Sequence, residues 1–272
     1  MKHILVIIIS LCTYVSTVAQ SAYVDSLRTY KLSKKDYYLV GTGLTLNSIY
    51  AYLEPKTPTL TTEEILSANR IMVSDLDRSA TFNWSPTADK WSDFTEYISF
   101  AAPAVLLAGS SKARKEWKEV LTIISETMLI NQGITGLLKV SVRRQRPFLY
   151  NEKAPIGLKY RRGVMYSFIS GHTSATAAAS FVTARMILDY YPETKYKWLV
   201  LGTAGFLPAI TGYLRYEAGL HFLTDVAPAY ALGAALGWFI PKWHKVDYEG
   251  HSFSVSSFSM LDANGLSFRL TF

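Results

Sequence analysis

Six stretches of this 272-residue chain are nearly free of charged side chains, and they constrain its fold more than any other feature. Four of them carry no charge, and the other two carry one each, at Glu126 and Arg185. Such runs predict helices that are buried or lie in a membrane, where a span needs about 20 residues. We therefore expect about six helices, in residues 37–53, 97–111, 120–138, 173–188, 198–214 and 226–240.

These stretches are rich in glycine, alanine, serine and threonine, which lets helices approach one another closely, as at Gly233 and Gly237 in a GxxxG spacing. Two architectures fit: helices packed together in a membrane, or an exported soluble bundle with an unusually apolar interior. Charged residues make up 18% of the chain, against roughly 25% in ordinary soluble domains, and the mean hydropathy is +0.12. The fold class that we predict is an all-α, membrane-associated bundle.

The first twenty residues resemble an export signal. Lys2 and His3 form a short positive start, residues 4–12 are apolar, and small residues precede Gln20. We expect residues 1–20 to be a cleaved signal peptide, and an uncleaved anchor helix is the alternative. Cys12 is the single cysteine, which excludes a disulfide framework and a cysteine-ligated metal site.

The last residues differ in pattern from the rest of the chain. In residues 251–272, apolar side chains alternate with small or polar ones on both sides of Asn264-Gly265, which predicts a small β-hairpin with its turn at this dipeptide. An exposed disordered tail is the alternative. The predicted organisation is a signal peptide (residues 1–20), a helical domain (residues 21–250) and a hairpin tail (residues 251–272).

An excess of cations indicates an anionic partner. Lysine and arginine total 28 against 21 for aspartate and glutamate, a formal net charge of +7. Composition alone leaves phosphorylated small molecules, acidic lipid headgroups and nucleic acid open.

The first cluster of chemically useful residues is cation-rich and follows the third apolar stretch, from Lys139 to Pro147. Lys139 provides a point charge and Arg146 a planar guanidinium, and both suit a tetrahedral phosphate dianion. Pro147 ends any helix before it. A basic patch facing lipid phosphates is the alternative interpretation.

The second cluster is Ser170-Gly171-His172, directly before an alanine-rich helix. Backbone N–H groups at a helix start favour an anion, and a glycine lets the backbone approach it closely. His172 adds a titratable group, although a lone histidine is more often a surface or capping residue.

The third cluster extends from Arg215 to Asp225 and includes His221. On a helix, His221 and Asp225 would share a face, so that the carboxylate accepts one ring N–H while the other nitrogen faces a substrate. This arrangement makes an imidazole a nucleophile. A purely structural His–Asp pair is the alternative.

Taken together, the order and spacing of the three clusters resemble the signature of the type 2 phosphatidic acid phosphatase superfamily, PAP2, in its membrane lipid phosphatase branch. The family usually has proline where Ile169 stands and serine where Leu214 stands. Neither change removes an ionisable group. The residues that carry the resemblance are Lys139, Arg146, Pro147, Ser170, Gly171, His172, Arg215, His221 and Asp225.

The resemblance implies a phosphatase with a phosphohistidine intermediate. His221 would attack phosphorus, Asp225 would orient and charge-stabilise His221, and His172 would protonate the leaving oxygen and then activate water. No metal or cofactor is expected, because acidic residues look too few and scattered near these clusters for a two-metal site. The phosphate-binding residues would be Lys139, Arg146, Ser170, Gly171 and Arg215.

The expected substrate is a phosphate monoester or pyrophosphate of a lipid, such as lipid A, undecaprenyl pyrophosphate or phosphatidate. We expect the protein to associate with a membrane and not with nucleic acid. Lysines and arginines such as Lys115 and Lys195 fall between the helices on one side, which the positive-inside rule places in the cytoplasm. The site would then face the periplasm from the bacterial inner membrane. The alternatives are a soluble periplasmic acid phosphatase acting on small phosphate esters and a non-catalytic membrane protein that binds anionic lipids.

Overall fold

The computed structural model describes residues 28–246 with their side chains, and residues 252–260 and 263–271 as backbone. The predicted signal peptide, residues 1–20, lies outside the described residues. Residues 28–246 are helical with short connections, in agreement with the all-α fold class.

The described residues form ten α-helices, so the predicted number of about six is too low. Six helices have 20 residues or more; five contain a whole uncharged stretch, and the helix that covers residues 97–109 ends two residues before its stretch does. The other four are helices of four or five residues, too short to leave a hydropathy signal. In chain order the helices are α1 Lys34–Leu53, α2 Thr62–Leu66, α3 Asp75–Arg78, α4 Pro86–Gly109, α5 Ser111–Lys115, α6 Trp117–Val142, α7 Ile156–Lys159, α8 Gly171–Tyr190, α9 Lys197–Glu217 and α10 Leu223–His244.

Helix α8 lies at the centre and contacts α4, α6, α9 and α10. Small residues make this possible: a Cβ on Gly233 of α10 would lie 2.1 Å from the carbonyl oxygen of Ser174, and one on Gly237 would lie 2.5 Å from that of Ala178. The close helix approach expected from the GxxxG spacing is thus confirmed. On the other side of the bundle, α1 packs along α6.

Helix α4 begins earlier than the apolar stretch suggests. Residues 85–93 resemble a loop in sequence, but the side chain of Ser85 accepts a hydrogen bond from the backbone N–H of Ala88 and Pro86 occupies the first turn. Both features favour a helix start. The early start brings Asp89 and Asp93 onto a helical face.

The backbone of the tail forms two antiparallel strands, β1 Ser252–Met260 and β2 Ala263–Thr271. In their register Met260 pairs with Ala263, and Asn264 and Gly265 lie inside β2, opposite Ser259 and Phe258. The predicted turn position at Asn264-Gly265 is therefore wrong.

One helix in the described part of the chain, Leu223–His244, is long and apolar enough to cross a membrane by length and composition. Its most apolar window has a mean hydropathy of 1.3, and 28% of that window is buried within the protein. Large apolar side chains are also exposed on other helices, such as Trp198 and Phe206 on α9.

Candidate active site

Backbone hydrogen bonds join the three sequence clusters at one end of the bundle. The N–H of Arg146 donates to the carbonyl of Val164 over 2.8 Å, and that of Ser167 donates to Arg144 over 2.9 Å. The N–H of Ser170 donates to the carbonyl of Asp225 over 3.2 Å. The segments that follow α6, precede α8 and precede α10 therefore form one structural unit.

The end of α6 meets the start of α8 through Lys139 and Gly171. A Cβ built on Gly171 would lie 2.7 Å from the Lys139 Nζ, so the ammonium group lies directly over the glycine backbone. The first N–H groups of a helix have no partner within that helix and carry partial positive charge. A phosphate near the start of α8 would meet both the N–H groups and the ammonium.

Ser170, a predicted phosphate-binding residue, caps the helix in this structure. Its side chain caps α8 by accepting from the N–H of Thr173, and its hydroxyl lies 2.8 Å from the hydroxyl of Thr173. Its own N–H donates to Asp225. These hydrogen bonds fix the start of α8.

His172 is held by carboxylates of α4. Its Nε2 lies 2.9 Å from Asp93 Oδ1 and 3.3 Å from Glu96 Oε2, so this nitrogen carries a proton. Burial, followed by the positive charges of Arg215, Lys139 and Arg146, lowers the pKa of His172 to about 3. Without a bound anion, the ring is therefore neutral at physiological pH.

Two arginines contribute most of the remaining positive charge. Arg215 is buried and donates to Asp89 over 2.6 Å and to the hydroxyl of Ser92 over 3.1 Å. The Nε atoms of Arg146 and Arg215 are buried and have no hydrogen-bond partner among the described residues. Burial, with Arg215 next in importance, lowers the pKa of Arg146 to about 9. Unpaired guanidinium donors of this kind favour an anion.

His221 lies in the connection before α10, not on the helix itself, and its ring is 1% exposed. Its Nδ1 lies 2.6 Å from the carbonyl oxygen of Ser167. A carbonyl only accepts, so Nδ1 carries the proton and Nε2 of the neutral ring keeps its lone pair. Burial holds the pKa of His221 well below its usual range, which favours this neutral, nucleophilic form.

The predicted hydrogen bond between Asp225 and the His221 ring is not formed. Asp225 Oδ2 lies 3.9 Å from His221 Nδ1, beyond hydrogen-bond range. The carboxylate instead accepts from the Ser167 hydroxyl over 2.5 Å and from the N–H of Phe222 over 2.8 Å. The helical i, i+4 relationship fails because α10 begins after His221.

Sequence reasoning did not predict the pairing of Arg144 with Asp77 and Asp225. Arg144 donates to Asp77 over 2.7 Å and to Asp225 over 2.5 Å, and its guanidinium packs on the ring of Phe222. Asp77 also accepts from the hydroxyl of Thr224 over 2.6 Å. No local pattern indicates this network, since Asp77 and Arg144 are 67 residues apart.

Three acidic residues of α4 lie near the site, although they lie outside the three sequence clusters. Asp89, Asp93 and Glu96 follow each other at helical spacing on α4, and they pair with Arg215 and His172 as described above. Their spacing would have revealed a common face had residues 85–93 been recognised as helical. Their contacts are with cationic or histidine side chains, so they contribute to the charge balance of the site.

A cavity of about 320 Å³ opens beside Lys139 and Gly171. Tyr50 of α1, Phe100 of α4 and Met128 of α6 give it an apolar wall. Its polar lining includes Glu96, Asn131, Gln132 and Thr135. Because this space adjoins the Lys139 ammonium, it can hold the part of a substrate that is attached to phosphate.

Residues 120–249 match the family model described as PAP2 superfamily. The chain is 30% identical over 138 residues to a lipid A 4'-phosphatase of Porphyromonas gingivalis, a match that covers 47% of this chain and 54% of that protein. It is 29% identical over 147 residues to a phosphatidylglycerophosphatase B of Bacillus subtilis, covering 52% and 66%. The chain thus spans between about half and two thirds of the length of these relatives.

Among solved structures, the chain is similar to a transmembrane PAP2-type phosphatidylglycerolphosphate phosphatase from Bacillus subtilis. The sequence identity is 23% and the TM-score is 0.47. The match covers 74% of this chain and 94% of the other.

Proposed function

The chain belongs to the PAP2 superfamily through residues 120–249, and from this premise we propose that it is a metal-independent phosphatase that hydrolyses a phosphate monoester or pyrophosphate of a lipid. The observation that carries the proposal is the 2.6 Å contact between His221 Nδ1 and the Ser167 carbonyl. It leaves the Nε2 lone pair free to attack phosphorus, while burial, and to a smaller extent the charges of Arg146 and Arg215, lower the pKa of the same ring.

In the first step, His221 Nε2 attacks phosphorus and the bond from phosphorus to the leaving oxygen breaks. His172 gives the leaving oxygen a proton, and the product is a phosphohistidine. Lys139, Arg146, Arg215 and the first N–H groups of α8 hold the other phosphate oxygens as charge shifts between them. In the second step, His172 takes a proton from water and the water oxygen attacks phosphorus. The bond between phosphorus and His221 Nε2 breaks, which frees inorganic phosphate and restores the His221 lone pair.

Phosphate binding prepares His172 for the first step. Burial, and after it the charges of Arg215, Lys139 and Arg146, lower the pKa of His172 in the free protein, and a bound dianion offsets the part that is due to the three charges. The same dianion competes with Asp89, Asp93 and Glu96 for the cations. Because the His221 ring is 1% exposed, the side chains that cover it must move when substrate binds.

Asp225 acts on His221 indirectly. Its carboxylate binds the Ser167 hydroxyl, and the carbonyl of that serine accepts the His221 Nδ1 proton. Asp225 thereby fixes the residue that selects the reactive tautomer, and its negative charge stabilises the imidazolium-like transition state at longer range.

A lipid is the proposed substrate class because the protein surface is itself apolar. Trp198, Leu199 and Phe206 of α9 and Trp243 of α10 are more than half exposed. Aromatic side chains of this kind are typical of membrane interfaces. Lipid A is the preferred candidate, in keeping with the name of one relative, and undecaprenyl pyrophosphate and phosphatidate-type lipids are the next.

The proposed location is the bacterial inner membrane, with the site facing the periplasm. The connection Ser111–Lys115 precedes α6, whereas Lys139 lies at its other end. The cationic connection and the site therefore lie at opposite ends of the bundle, which supports a cytoplasmic side for the connection.

The test is phosphate release by detergent-purified protein from lipid A, undecaprenyl pyrophosphate, phosphatidate and small soluble esters, with EDTA present. We expect release from at least one lipid and none by His221→Ala. Phosphate release from soluble esters alone would favour a soluble periplasmic acid phosphatase. Lipid binding that is equal in wild type and His221→Ala, with no turnover by either, would favour a non-catalytic membrane protein that binds anionic lipids. Loss of wild-type turnover in EDTA, with the protein still folded, would contradict the metal-independent mechanism.

The intermediate can be trapped directly. Brief reaction with ³²P-labelled substrate followed by alkaline denaturation should leave acid-labile label on wild-type protein. The His172→Ala variant is best tested with a substrate whose leaving group is good, such as nitrophenolate, because such a group leaves without a proton from His172. The variant should then form the intermediate but hydrolyse it slowly, and so retain more label than wild type.

A further inference from the structure

We propose that Asp36, Glu126 and His244 form a binding site for a divalent transition-metal ion, with zinc as the best fit, at the end of the bundle opposite the phosphatase site. His244 ends α10, Asp36 lies in the first turn of α1, and Glu126 lies in the first half of α6. One ligand atom from each residue lies within 4.8 Å of the other two. All three side chains are buried.

The hydrogen bond on the far side of the His244 ring selects the metal-binding tautomer. Nδ1 lies 2.8 Å from the carbonyl oxygen of Ile240, which accepts only, so Nδ1 carries a proton. The other nitrogen, Nε2, lies within hydrogen-bond distance of the Asp36 carboxylate, so it carries a proton when no metal is bound, and a metal ion would replace that proton. Metal-binding histidines are typically oriented in this way, by donating their other N–H to a carbonyl or carboxylate.

The distances fit a small ion. His244 Nε2 lies 3.1 Å from Asp36 Oδ1 and 3.1 Å from Glu126 Oε2. Around a tetrahedral zinc ion with bonds of about 2.0 Å, ligand atoms are about 3.3 Å apart. Nitrogen and carboxylate ligands are both common for zinc, and water can complete the set.

Glu126 supplies independent evidence that the cluster is incomplete without a cation. The side chain is fully buried, yet neither of its oxygens accepts a hydrogen bond of standard geometry from the described residues. Burying a carboxylate without such partners is costly. A cation bound between Glu126 and His244 would supply the missing partner.

The charge balance also favours a divalent ion over a proton. Among the described residues, the ion pairs of Asp36 and Glu126 are with His244 alone. Two carboxylates and an imidazolium leave one net negative charge in a buried site, whereas two carboxylates and a divalent ion leave none. Buried charge is tolerated when it is paired and neutralised.

The ion has a route to the site. Asp36 lines an open cavity of about 770 Å³ together with Ser33, Tyr37 and Thr122. The metal would tie α1, α6 and α10 together. Glu126 precedes Lys139 by 13 residues of helix, or about 20 Å, so this site does not rest on the proposed phosphatase function.

The experiment uses full-length, tag-free protein in detergent, dialysed against EDTA and then titrated with ZnCl₂. We expect about one zinc per chain by elemental analysis. We also expect a rise in Tm of several degrees when free zinc exceeds its Kd by about 100-fold. Glu126→Gln keeps the side-chain volume and should lose both responses.

Glu119→Gln is the matched control, because it makes the same change on the same helix at a buried glutamate paired with Arg28. It should bind zinc and respond as wild type does. Wild-type protein that binds no metal and keeps its Tm would overturn the proposal, and the cluster would then hold a proton. Equal zinc binding by Glu126→Gln and wild type would overturn it as well.

Discussion

The ammonium group of Lys139 occupies the space that a side chain on Gly171 would need, with Nζ 2.7 Å from the position of a Cβ there. The contact joins the last turn of α6 to the first residue of α8. A glycine is needed at this point for close approach of a cation and not for an unusual backbone angle. The positive charge is thereby held beside the free N–H groups of the helix start.

Gly171→Ala should therefore lower phosphatase activity without unfolding the protein. The new methyl group displaces the flexible end of Lys139, and a charged hydrogen bond to phosphate is weakened by about 1.5–3 kcal/mol. We expect kcat/KM to fall by about 10- to 100-fold. Gly157→Ala, where a Cβ would meet nothing within 4 Å, is the control and should retain full activity.

Arg144→Ala should destabilise the protein. Arg144 pairs with Asp77 and Asp225, whose side chains are 2% and 0% exposed, and its loss leaves both carboxylates buried without their cation. Breaking a buried pair costs about 3–5 kcal/mol, and partial exposure of Arg144 places the expected loss near the lower limit. Arg143→Ala, at the exposed neighbouring position, should change the unfolding free energy far less. An equal loss of unfolding free energy in the two variants would contradict a stabilising role for the pairing of Arg144 with Asp77 and Asp225.

His172 should make the protein less stable as the solution becomes acidic. Its pKa is about 3 in the folded protein and about 6.5 when unfolded, so between these values the unfolded chain binds the extra proton. Stability from this residue is complete above pH 6.5 and falls as the pH drops, by up to about 1.4 kcal/mol per pH unit. Thermal unfolding of wild type and His172→Gln between pH 7 and pH 4.5 should show a shallower decline for the variant. Parallel declines would contradict this assignment.

Gly233→Ala should weaken the contact between α8 and α10. A Cβ on Gly233 would lie 2.1 Å from the Ser174 carbonyl oxygen, a backbone atom that cannot move aside independently. Overpacking of this kind costs about 1–3 kcal/mol. Gly202→Ala, with open space around its Cβ position on α9, should leave the Tm unchanged or slightly higher, because alanine favours helix. A Gly233→Ala protein as stable as wild type would show that the two helices can separate at little cost.

Some features of the site depend on the fold at long range. The uncharged stretches predict the long helices, because the residues of each stretch show by themselves that it is apolar enough to be buried. Asp89, Asp93 and Glu96 were missed because the helix start at Pro86 precedes the apolar stretch on which the helix prediction rested. A polar first turn leaves no hydropathy signal, although the cap at Ser85 is visible in sequence.

The sequence by itself determined the long helices, the small residues at their contacts and the three clusters whose spacing resembles the PAP2 signature, since all of these are local patterns. Only the tertiary structure decided that His221 donates to the Ser167 carbonyl while Asp225 binds the Ser167 hydroxyl. The same holds for the convergence of Asp36, Glu126 and His244. Every residue carries a backbone carbonyl, so the type of a residue does not indicate whether its carbonyl accepts a hydrogen bond from a distant side chain. Pairings across many residues of sequence arise when the packed helices bring their ends together.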